Sequence, residues 1–401
     1  MVSENTEILF LGSFFPNSRK EEIWRDSKGP MVISADTFQQ ALLSGWKELG
    51  TDMSVVTIPY VGSFPQRYKK WLFKSSTFQY CGKNSSCVGF VNLVYFKRYS
   101  IQYHATLYVK KWAKKTQGKK VIIVYSLLPF YLKAALSAKA IDRDIKIIVI
   151  ALDLPEYFGE TNRLIPAFIS KSMINAVYAV YKNIDAYILL TKHMAVHLHL
   201  TTQPWILLEG IYNDSENKVV AKSEKKVLLY TGKLDSRFGL DVLLKAFGLM
   251  DQDYELWICG DGSMKSMIQA YAEKDRRIKF HGFLKREEVL ALQRQVTLLI
   301  NPRQPDSEYT KYSFPSKTME YMASGTPTLM YHLAGIPPEY DEFLVYINGL
   351  SVEDMKDTIV DWCSKEQYEL NEFGAKARQF ILQNKNAKVQ SKRILNFIST
   401  L

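Results

Sequence analysis

The sequence predicts an α/β protein made of two doubly wound domains that face each other across a cleft. Strand and helix patterns alternate along the chain, which is typical of parallel sheets covered by helices. The chain is 401 residues long, more than one hydrophobic core usually supports. Residues 213–226 are polar and charged and lack a periodic apolar pattern, which indicates a linker. We therefore expect a first domain over residues 1–212, a second over 227–351, and further helices over 352–401.

The first half of the chain contains six predicted strands and three predicted helices. Short apolar runs bounded by turn residues indicate the strands, and longer amphipathic stretches indicate the helices. The strands are residues 8–11, 53–58, 120–125, 145–152, 186–190 and 205–208, and the helices are residues 36–49, 130–140 and 165–182.

The second half restarts the same alternation after the linker. Its predicted strands are residues 227–230, 254–259, 278–280, 296–300 and 327–331. A helix is expected to begin at Pro315, because proline is favoured in a first turn, and to end at Gly325 and Pro327. Ligands of doubly wound sheets bind at the carboxyl ends of the strands, so the loops there are the candidate binding site.

The start of this helix has the features of a phosphate site. The backbone N–H groups of Ser316, Lys317 and Thr318 would point out of the helix, with the positive end of the dipole behind them. Lys317 adds a cation. Glu320 follows about one turn later, where a carboxylate can accept hydrogen bonds from ribose hydroxyls. Phosphate and ribose together predict a nucleotide, and an ordinary α/β helix with a polar start is the alternative.

Residues 313–327 resemble the donor-binding signature of the family-4 retaining glycosyltransferases, especially those that assemble bacterial capsule, exopolysaccharide and cell-wall polymers. The resemblance extends from Val227 to about Gly349. Glu320 matches the second glutamate of the family's paired-glutamate motif. Tyr312 stands in place of the first glutamate, which helps to hold the donor sugar in such enzymes. Glu308 could substitute for it only if the loop bends suitably.

The resemblance implies a GT-B fold, with the final helices crossing back onto the first domain. It also implies retaining transfer of a sugar from a nucleotide-sugar donor, with a UDP or GDP sugar expected, to a lipid-linked or growing glycan acceptor. No cofactor and no metal would be required. A catalytically silent nucleotide-sugar-binding scaffold and a GT-B nucleotide-sugar 2-epimerase are the alternatives.

Several donor-binding residues follow from the resemblance. Gly232 and Lys233 look like the family's first phosphate loop, with Lys233 as a catalytic cation beside Glu320. The usual second lysine position holds Phe238, and Arg237, which stands immediately before it, is expected to supply the second cation that binds the diphosphate. A plain surface lysine is the alternative for Lys233.

Two further positions are expected to contact the donor through the backbone or the base. Gly282 and Phe283 resemble the loop that reads the nucleobase, although turn and core roles are equally compatible with the sequence. In the first half, Gly12 would let the backbone approach the donor phosphate or sugar. Asp153 is the candidate for a polar catalytic contact near the reacting carbon, with a helix-capping or turn role as the alternative.

A basic block occupies residues 53–141, which contain fifteen Lys or Arg and no Asp or Glu. Cations beside aromatic side chains suit a helix that lies on an anionic membrane surface. The predicted membrane-facing residues are Lys69, Lys70, Trp71, Lys110, Lys111, Trp112, Lys114 and Lys115. Nucleic-acid binding and a merely solvated basic face are the alternatives, and we expect no nucleic-acid partner.

The remaining features favour a cytoplasmic protein that is peripheral at the inner face of the cell membrane. No apolar run reaches the ~18 residues needed to span a bilayer, and the acidic start is not a secretory signal. The four cysteines are scattered, which favours reduced thiols. The sugar, the acceptor, the linkage and the oligomeric state are not specified by the sequence.

Overall fold

The computed structural model describes residues 6–29, 31, 33–157, 172, 174–175, 178–213 and 220–401. Most of the predicted helix 165–182 and residues 214–219 of the predicted linker lie outside these ranges. The chain divides into two compact units. Unit 1 contains the residues up to Ile211 together with Ala387–Leu401, and unit 2 contains Tyr212–Asn386.

Unit 1 contains an eight-stranded sheet with the strand order β10-β9-β8-β7-β1-β2-β5-β4. Every pairing in it is parallel except the hairpin of β4 and β5. A separate antiparallel pair joins β3 to β6. The strands are β1 Thr6–Gly12, β2 Met53–Thr57, β3 Leu72–Phe73, β4 Ser76–Tyr80, β5 Lys83–Cys87, β6 Phe90–Val91, β7 Lys119–Tyr125, β8 Lys146–Ala151, β9 Ala186–Leu189 and β10 Trp205–Leu207.

The structure gives the bounds of six helices in unit 1, and each of them buries apolar side chains. They are α1 Lys20–Asp26, α2 Ile33–Glu48, α3 Lys97–Lys115, α4 Pro129–Leu136, α5 Lys192–His197 and α12 Ala387–Ser399. Trp46 of α2 and Ile394 of α12 belong to the same buried core as the central strands. Gly45 permits the close approach of the two helices, since a Cβ there would lie 2.2 Å from the Ala387 carbonyl oxygen.

Unit 2 contains a six-stranded parallel sheet with the order β13-β12-β11-β14-β15-β16. Its strands are β11 Lys226–Lys233, β12 Tyr254–Asp261, β13 Ile278–Gly282, β14 Leu298–Asn301, β15 Thr328–Met330 and β16 Val345–Tyr346. Its helices are α6 Leu240–Gly248, α7 Lys265–Lys274, α8 Arg286–Gln295, α9 Ser316–Ser324, α10 Val352–Ser364 and α11 Gln367–Asn384. Val227, Leu229, Leu299 and Tyr321 lie in its core.

Two strands run further than the sequence predicts. β11 continues to Lys233 and β12 to Asp261, because Gly232 pairs with Gly260 and Lys233 with Asp261. The predicted first phosphate loop therefore begins as the last part of a strand. Among the described residues, none of the helices has the length and apolarity that a membrane span requires.

Candidate functional site

A cavity of about 320 Å³ lies at the carboxyl ends of β11 and β12 in unit 2. Parallel strands bring their carboxyl ends to the same edge of a sheet, so the loops that follow them form one wall. The lining residues come from β11, β12, the loop after β13, α8 and α9: Thr231, Gly232, Lys233, Cys259, Gly260, Asp261, Phe283, Leu284, Val289 and Lys317. The structure thus brings together Gly232, Lys233, Phe283 and Lys317 of the predicted donor residues.

Glycines allow the ends of β11 and β12 to lie in contact. A Cβ on Gly260 would lie 1.7 Å from the Gly232 carbonyl oxygen, and one on Gly262 would lie 2.3 Å from that of Leu234. Leu234 N–H donates to the Asp261 carbonyl at 2.9 Å and so ties the two loops together. The wall of the cavity is therefore held by backbone contacts that leave no room for a side chain at either glycine.

Helix α9 begins one residue later than predicted, at Ser316, with Pro315 as its N-cap. Gly325 ends it in the left-handed conformation, with φ 80°. Ser316 is exposed at the first position. The N–H of Thr318 donates to the Pro315 carbonyl at 2.8 Å, so the expectation that this N–H points freely out of the helix is wrong.

Lys317 points from α9 toward the end of β11. Its ammonium donates to the Thr231 carbonyl oxygen. A Cβ built on Gly232 would lie 2.8 Å from the Lys317 Nζ, so the absence of a side chain there leaves the space that the lysine occupies. Burial lowers the pKa of Lys317, while the nearby Glu320 carboxylate opposes that shift. The site therefore holds a partly desolvated cation against the wall of the cavity.

Glu320 lies on the same helix and is held by two side chains from α8. The amide of the fully buried Gln293 donates to Glu320 Oε1 at 2.8 Å. The guanidinium of Arg286 lies 3.8 Å from Oε2. Glu320 thus keeps a fixed carboxylate with some solvent access. The alternative carboxylate, Glu308, is exposed on a 3-10 helix that ends at Tyr312.

Lys233 and Arg237, two of the predicted donor-binding residues, both lie near the carboxylate of Asp235. Arg237 donates from Nε to Asp235 Oδ1 at 3.0 Å and from Nη2 to Oδ2 at 3.1 Å. These hydrogen bonds from Arg237 lower the pKa of Asp235, so the pair is charged on both sides. The Lys233 side chain is also exposed, and its ammonium lies 4.0 Å from Asp235 Oδ2. Arg237 is therefore largely neutralised by its neighbour.

The loop after β13 presents an exposed aromatic ring to the cavity. Gly282 has φ 68°, a conformation that favours glycine, and nothing lies within 4 Å of a Cβ built there. The next residue, Phe283, is 83% exposed and lines the cavity. A core role for Phe283, one of the sequence alternatives, is therefore wrong.

The two candidates in unit 1 lie at the ends of different strands. Gly12 ends β1 and is buried, and a Cβ there would lie 2.7 Å from Gln39 Oε1. The neighbouring Ser13 N–H donates to that same oxygen at 2.8 Å, so this loop is tied to α2. Asp153 follows β8 and is exposed. The surrounding protein atoms nevertheless desolvate its carboxyl group in part, which raises its pKa.

The basic block of unit 1 exposes a different set of side chains from the predicted one. Trp112 is only 8% exposed, because it lies on the face of α3 that buries Ile101, Ala105 and Val109. Its predicted place on a membrane-facing surface is wrong. Lys110 is half-buried, and Lys111, Lys114 and Lys115 are exposed at the end of α3.

The other predicted membrane-facing residues precede β3. Trp71 is exposed, as is Lys69, whose ammonium donates to the Arg25 carbonyl at 2.6 Å. Lys70 pairs with Glu22 at 3.0 Å and with Asp26 at 2.7 Å. The charge of Lys70 is therefore balanced by carboxylates of α1.

An apolar stripe runs along the solvent side of α3. We give that name to Tyr99, Tyr103 and Leu107, which are 68%, 63% and 50% exposed and are spaced four residues apart. Tyr95 and Phe96 extend it beyond the helix start and are also exposed. The exposed lysines of the last turn lie at its other end. A helical pattern with two apolar faces could have revealed the stripe in the sequence.

Three residues of unit 2 were missed by the sequence reasoning. Gln293 and Arg286 contact Glu320 from α8, and Arg303 lies two residues beyond the end of β14. A basic residue shortly after a buried strand is the sequence feature that identified Lys233, and Arg303 has the same feature. Neither residue of α8 has such a signal, since their roles depend on how α8 packs beside α9.

Residues 225–364, about a third of the chain, match the family described as Glycosyl transferases group 1. No curated protein sequence matches the chain. Among solved structures, sucrose-phosphate synthase from Thermosynechococcus elongatus is similar at 13% identity and a TM-score of 0.63, with 98% of each chain covered. Anabaena HepE in complex with UDP is also 13% identical, with a TM-score of 0.63 and coverage of 98% of this chain and 100% of HepE.

A third similar structure is the apo form of the lipopolysaccharide outer core galactosyltransferase WaaB, at 15% identity and a TM-score of 0.60. The alignment covers 98% of this chain and 100% of WaaB. At these identities the likeness shows the fold, and the GT-B fold that the sequence predicts is confirmed. The family match over residues 225–364 and the GT-B fold together support a glycosyltransferase.

Proposed function

We propose that the protein is a retaining glycosyltransferase that moves a sugar from a nucleotide-sugar donor to a lipid-linked or growing glycan acceptor at the cytoplasmic face of the membrane. The observation that carries the proposal is the cavity at the carboxyl ends of β11 and β12. It combines an exposed aromatic ring at Phe283, two cations at Lys233 and Lys317, and a fixed carboxylate close by at Glu320.

Each part of the cavity suits one part of a nucleotide. An exposed aromatic ring can stack on a base, and the two ammonium groups can pair with a diphosphate. The carboxylate of Glu320 can accept hydrogen bonds from ribose hydroxyls. One of the similar structures of Anabaena HepE contains UDP, and a second structure of the same protein contains UDP-glucose. These observations support a UDP sugar ahead of a GDP sugar as the donor.

The chemistry follows from where negative charge develops. As the bond between the sugar and the diphosphate breaks, the leaving group gains charge, and preorganised cations stabilise it. Lys317 is suited to this, because its ammonium is already positioned by the Thr231 carbonyl and partly desolvated. We propose that the acceptor hydroxyl attacks from the face that the leaving group departs and passes its proton to the departing diphosphate, so that the configuration of the sugar is retained. Asp153 of unit 1 stays the proposed polar contact near the reacting carbon.

The proposed acceptor at the membrane rests on unit 1. The apolar stripe of α3 ends among exposed lysines, and no acidic residue occurs between residues 53 and 141. Aromatic side chains with a basic surround suit the headgroup region of an anionic membrane. The stripe, rather than Trp112, is therefore the proposed membrane contact.

Calorimetric titration with UDP, GDP and ADP tests the proposal. We expect one nucleotide to bind selectively, and Glu320→Ala to weaken that binding roughly tenfold or more, since hydrogen bonds to a charged group contribute about 1.5–3 kcal/mol. Glu287→Ala is the matched control, because Glu287 is an exposed carboxylate of α8 that does not line the cavity. Binding of none of the three nucleotides would refute the proposal.

The alternatives predict different outcomes once the nucleotide is known. A scaffold would bind the donor and transfer its sugar to no acceptor. An epimerase would convert the free nucleotide sugar without an acceptor. A transferase requires the acceptor, and a retaining one preserves the anomeric configuration, which the proton coupling constant of the product measures by NMR.

A further inference from the structure

Arg303 is a buried arginine without a carboxylate partner. It is 9% exposed, and its guanidinium lies 5.2 Å from the centre of the Tyr309 ring and 5.9 Å from that of Phe238. In the part of the chain that the structure describes, no carboxylate lies within 4.0 Å of this guanidinium. Asp306 and Arg237 act on it only at longer range, and burial lowers its pKa.

The largely buried Arg277 of the same unit is satisfied in a different way. Arg277 also lies over an aromatic ring, that of Phe247, at 4.8 Å. It additionally forms a bidentate pair with Asp275, at 2.7 Å for the shortest contact, and donates to the carbonyls of Met250 and Asp251. A structural arginine in unit 2 is thus neutralised, whereas Arg303 is not.

The difference matters energetically. Charged side chains are rarely buried unless they are paired, because a buried charge without a partner is costly. Two aromatic rings offset that cost only in part. A buried cation without a carboxylate partner is suited to bind an anion that enters from solution.

The position of Arg303 indicates which anion. β14 pairs with β11 in parallel, with Leu228 beside Leu298 and Leu229 beside Leu299. Continued past the last paired residues, this register would bring Arg303 level with Lys233. The two chains are close here, since a Cβ on Gly239 would lie 1.9 Å from the Pro302 carbonyl oxygen. Arg303 therefore belongs to the same edge of the sheet as the cavity.

We propose that Arg303 binds the diphosphate of the donor, together with Lys233 and Lys317. The inference deepens the proposed function and rests on it. Arg237, the second cation expected from the sequence, is held by both oxygens of Asp235, whereas the guanidinium of Arg303 has no such neighbour. Arg303, in the loop after β14, thus takes the role that the sequence led us to expect of Arg237 in the loop after β11.

The test compares the preferred nucleoside diphosphate with the matching nucleoside. Arg303→Gln removes the charge and keeps much of the side chain. We expect its affinity for the diphosphate to fall roughly ten- to a hundredfold, as for the loss of a charge-assisted hydrogen bond, with the affinity for the nucleoside unchanged. Calorimetry measures the affinity for the diphosphate, and ligand-observed NMR measures the weaker affinity for the nucleoside. Arg276→Gln, at an exposed arginine outside the cavity lining, is the control.

A second variant restores a cation by a different route. The Arg303 guanidinium lies over the Phe238 ring, so a lysine in place of that ring would put an ammonium near the same space. The double variant Phe238→Lys/Arg303→Gln should therefore recover at least part of the lost diphosphate affinity. A thermal melt of each variant shows whether it is folded.

The outcomes separate this inference from the proposed function. If the unsubstituted protein binds no nucleoside diphosphate, the proposed function fails and the inference fails with it. If it binds one and Arg303→Gln binds it equally well, only the inference is overturned. An equal loss of nucleoside and diphosphate affinity also overturns it, since Arg303 then acts on the shape of the site. If Arg303→Gln does not fold and the folded double variant does not bind the diphosphate, Arg303 has a structural role and the inference is likewise overturned.

Discussion

Replacing Lys317 with methionine should separate nucleotide binding from folding. The substitution removes the ammonium and retains a long apolar side chain. The Thr231 carbonyl would lose its bond from Lys317 and keep the one from the Tyr321 hydroxyl at 3.1 Å. Loss of one of two hydrogen bonds costs about 1 kcal/mol. Burial lowers the pKa of Lys317, which shows that the surroundings disfavour its charge, so removing that charge offsets part of the cost.

Binding should change far more than stability. A charge-assisted hydrogen bond to phosphate contributes about 1.5–3 kcal/mol, which corresponds to a roughly ten- to 150-fold loss of affinity for the preferred nucleoside diphosphate. Calorimetry measures the affinity, and a thermal melt measures stability. Lys274→Met, at an exposed lysine of α7 outside the cavity lining, is the control. Diphosphate affinity equal to that of the unsubstituted protein would show that the ammonium of Lys317 faces the strand and not the ligand.

Three further predictions concern stability and the membrane. Gly260→Ala should lower the free energy of unfolding in urea by more than about 2 kcal/mol, because its Cβ would lie 1.7 Å from a carbonyl oxygen; Gly248→Ala, with nothing within 4 Å, should change it by less than about 1 kcal/mol. Although burial opposes it, hydrogen bonds from Lys225, Lys279 and Trp257 lower the pKa of Glu255 from 4.5 to about 2. This carboxylate therefore stabilises the fold above pH 4.5 and loses that contribution as the pH falls toward about 2. Between these pH values the free energy of unfolding in urea should fall less for Glu255→Gln than for the unsubstituted protein. Serine at all three positions of the apolar stripe should abolish most co-sedimentation with vesicles of anionic phospholipid, whereas Tyr368→Ser, at an equally exposed tyrosine of unit 2, should not; equal sedimentation of the two would remove the stripe from the membrane proposal.

The parallel core strands could be predicted from the sequence because they are buried on both faces. Residues 120–125 and 145–152 are nearly continuous apolar runs, and they form the centre of the unit 1 sheet as β7 and β8. The hairpin of β4 and β5 was not predicted. Its sequences, Ser76–Tyr80 and Lys83–Cys87, are mostly polar, because an edge hairpin buries few side chains.

The candidate site was predictable where one chain segment determines it. Lys317 and Glu320 lie on one helix, and the fold confirms their place on α9 at the carboxyl edge of the sheet. The partners of these residues depend on tertiary packing. The hydrogen bond from Gln293 to Glu320 spans 27 residues of sequence, and Asp235 captures Arg237 through a turn geometry that spacing alone does not show.

The return of the last helix to unit 1 has a consequence for the order in which the protein can mature during synthesis. Ile394, Phe397 and Ile398 of α12 complete the core of unit 1, although they are translated after all of unit 2. Tyr212 and Lys385, near the two boundaries of unit 2, are joined by a backbone hydrogen bond of 2.8 Å. Unit 1, whose translation begins first, therefore cannot complete its core until all of unit 2 has been translated.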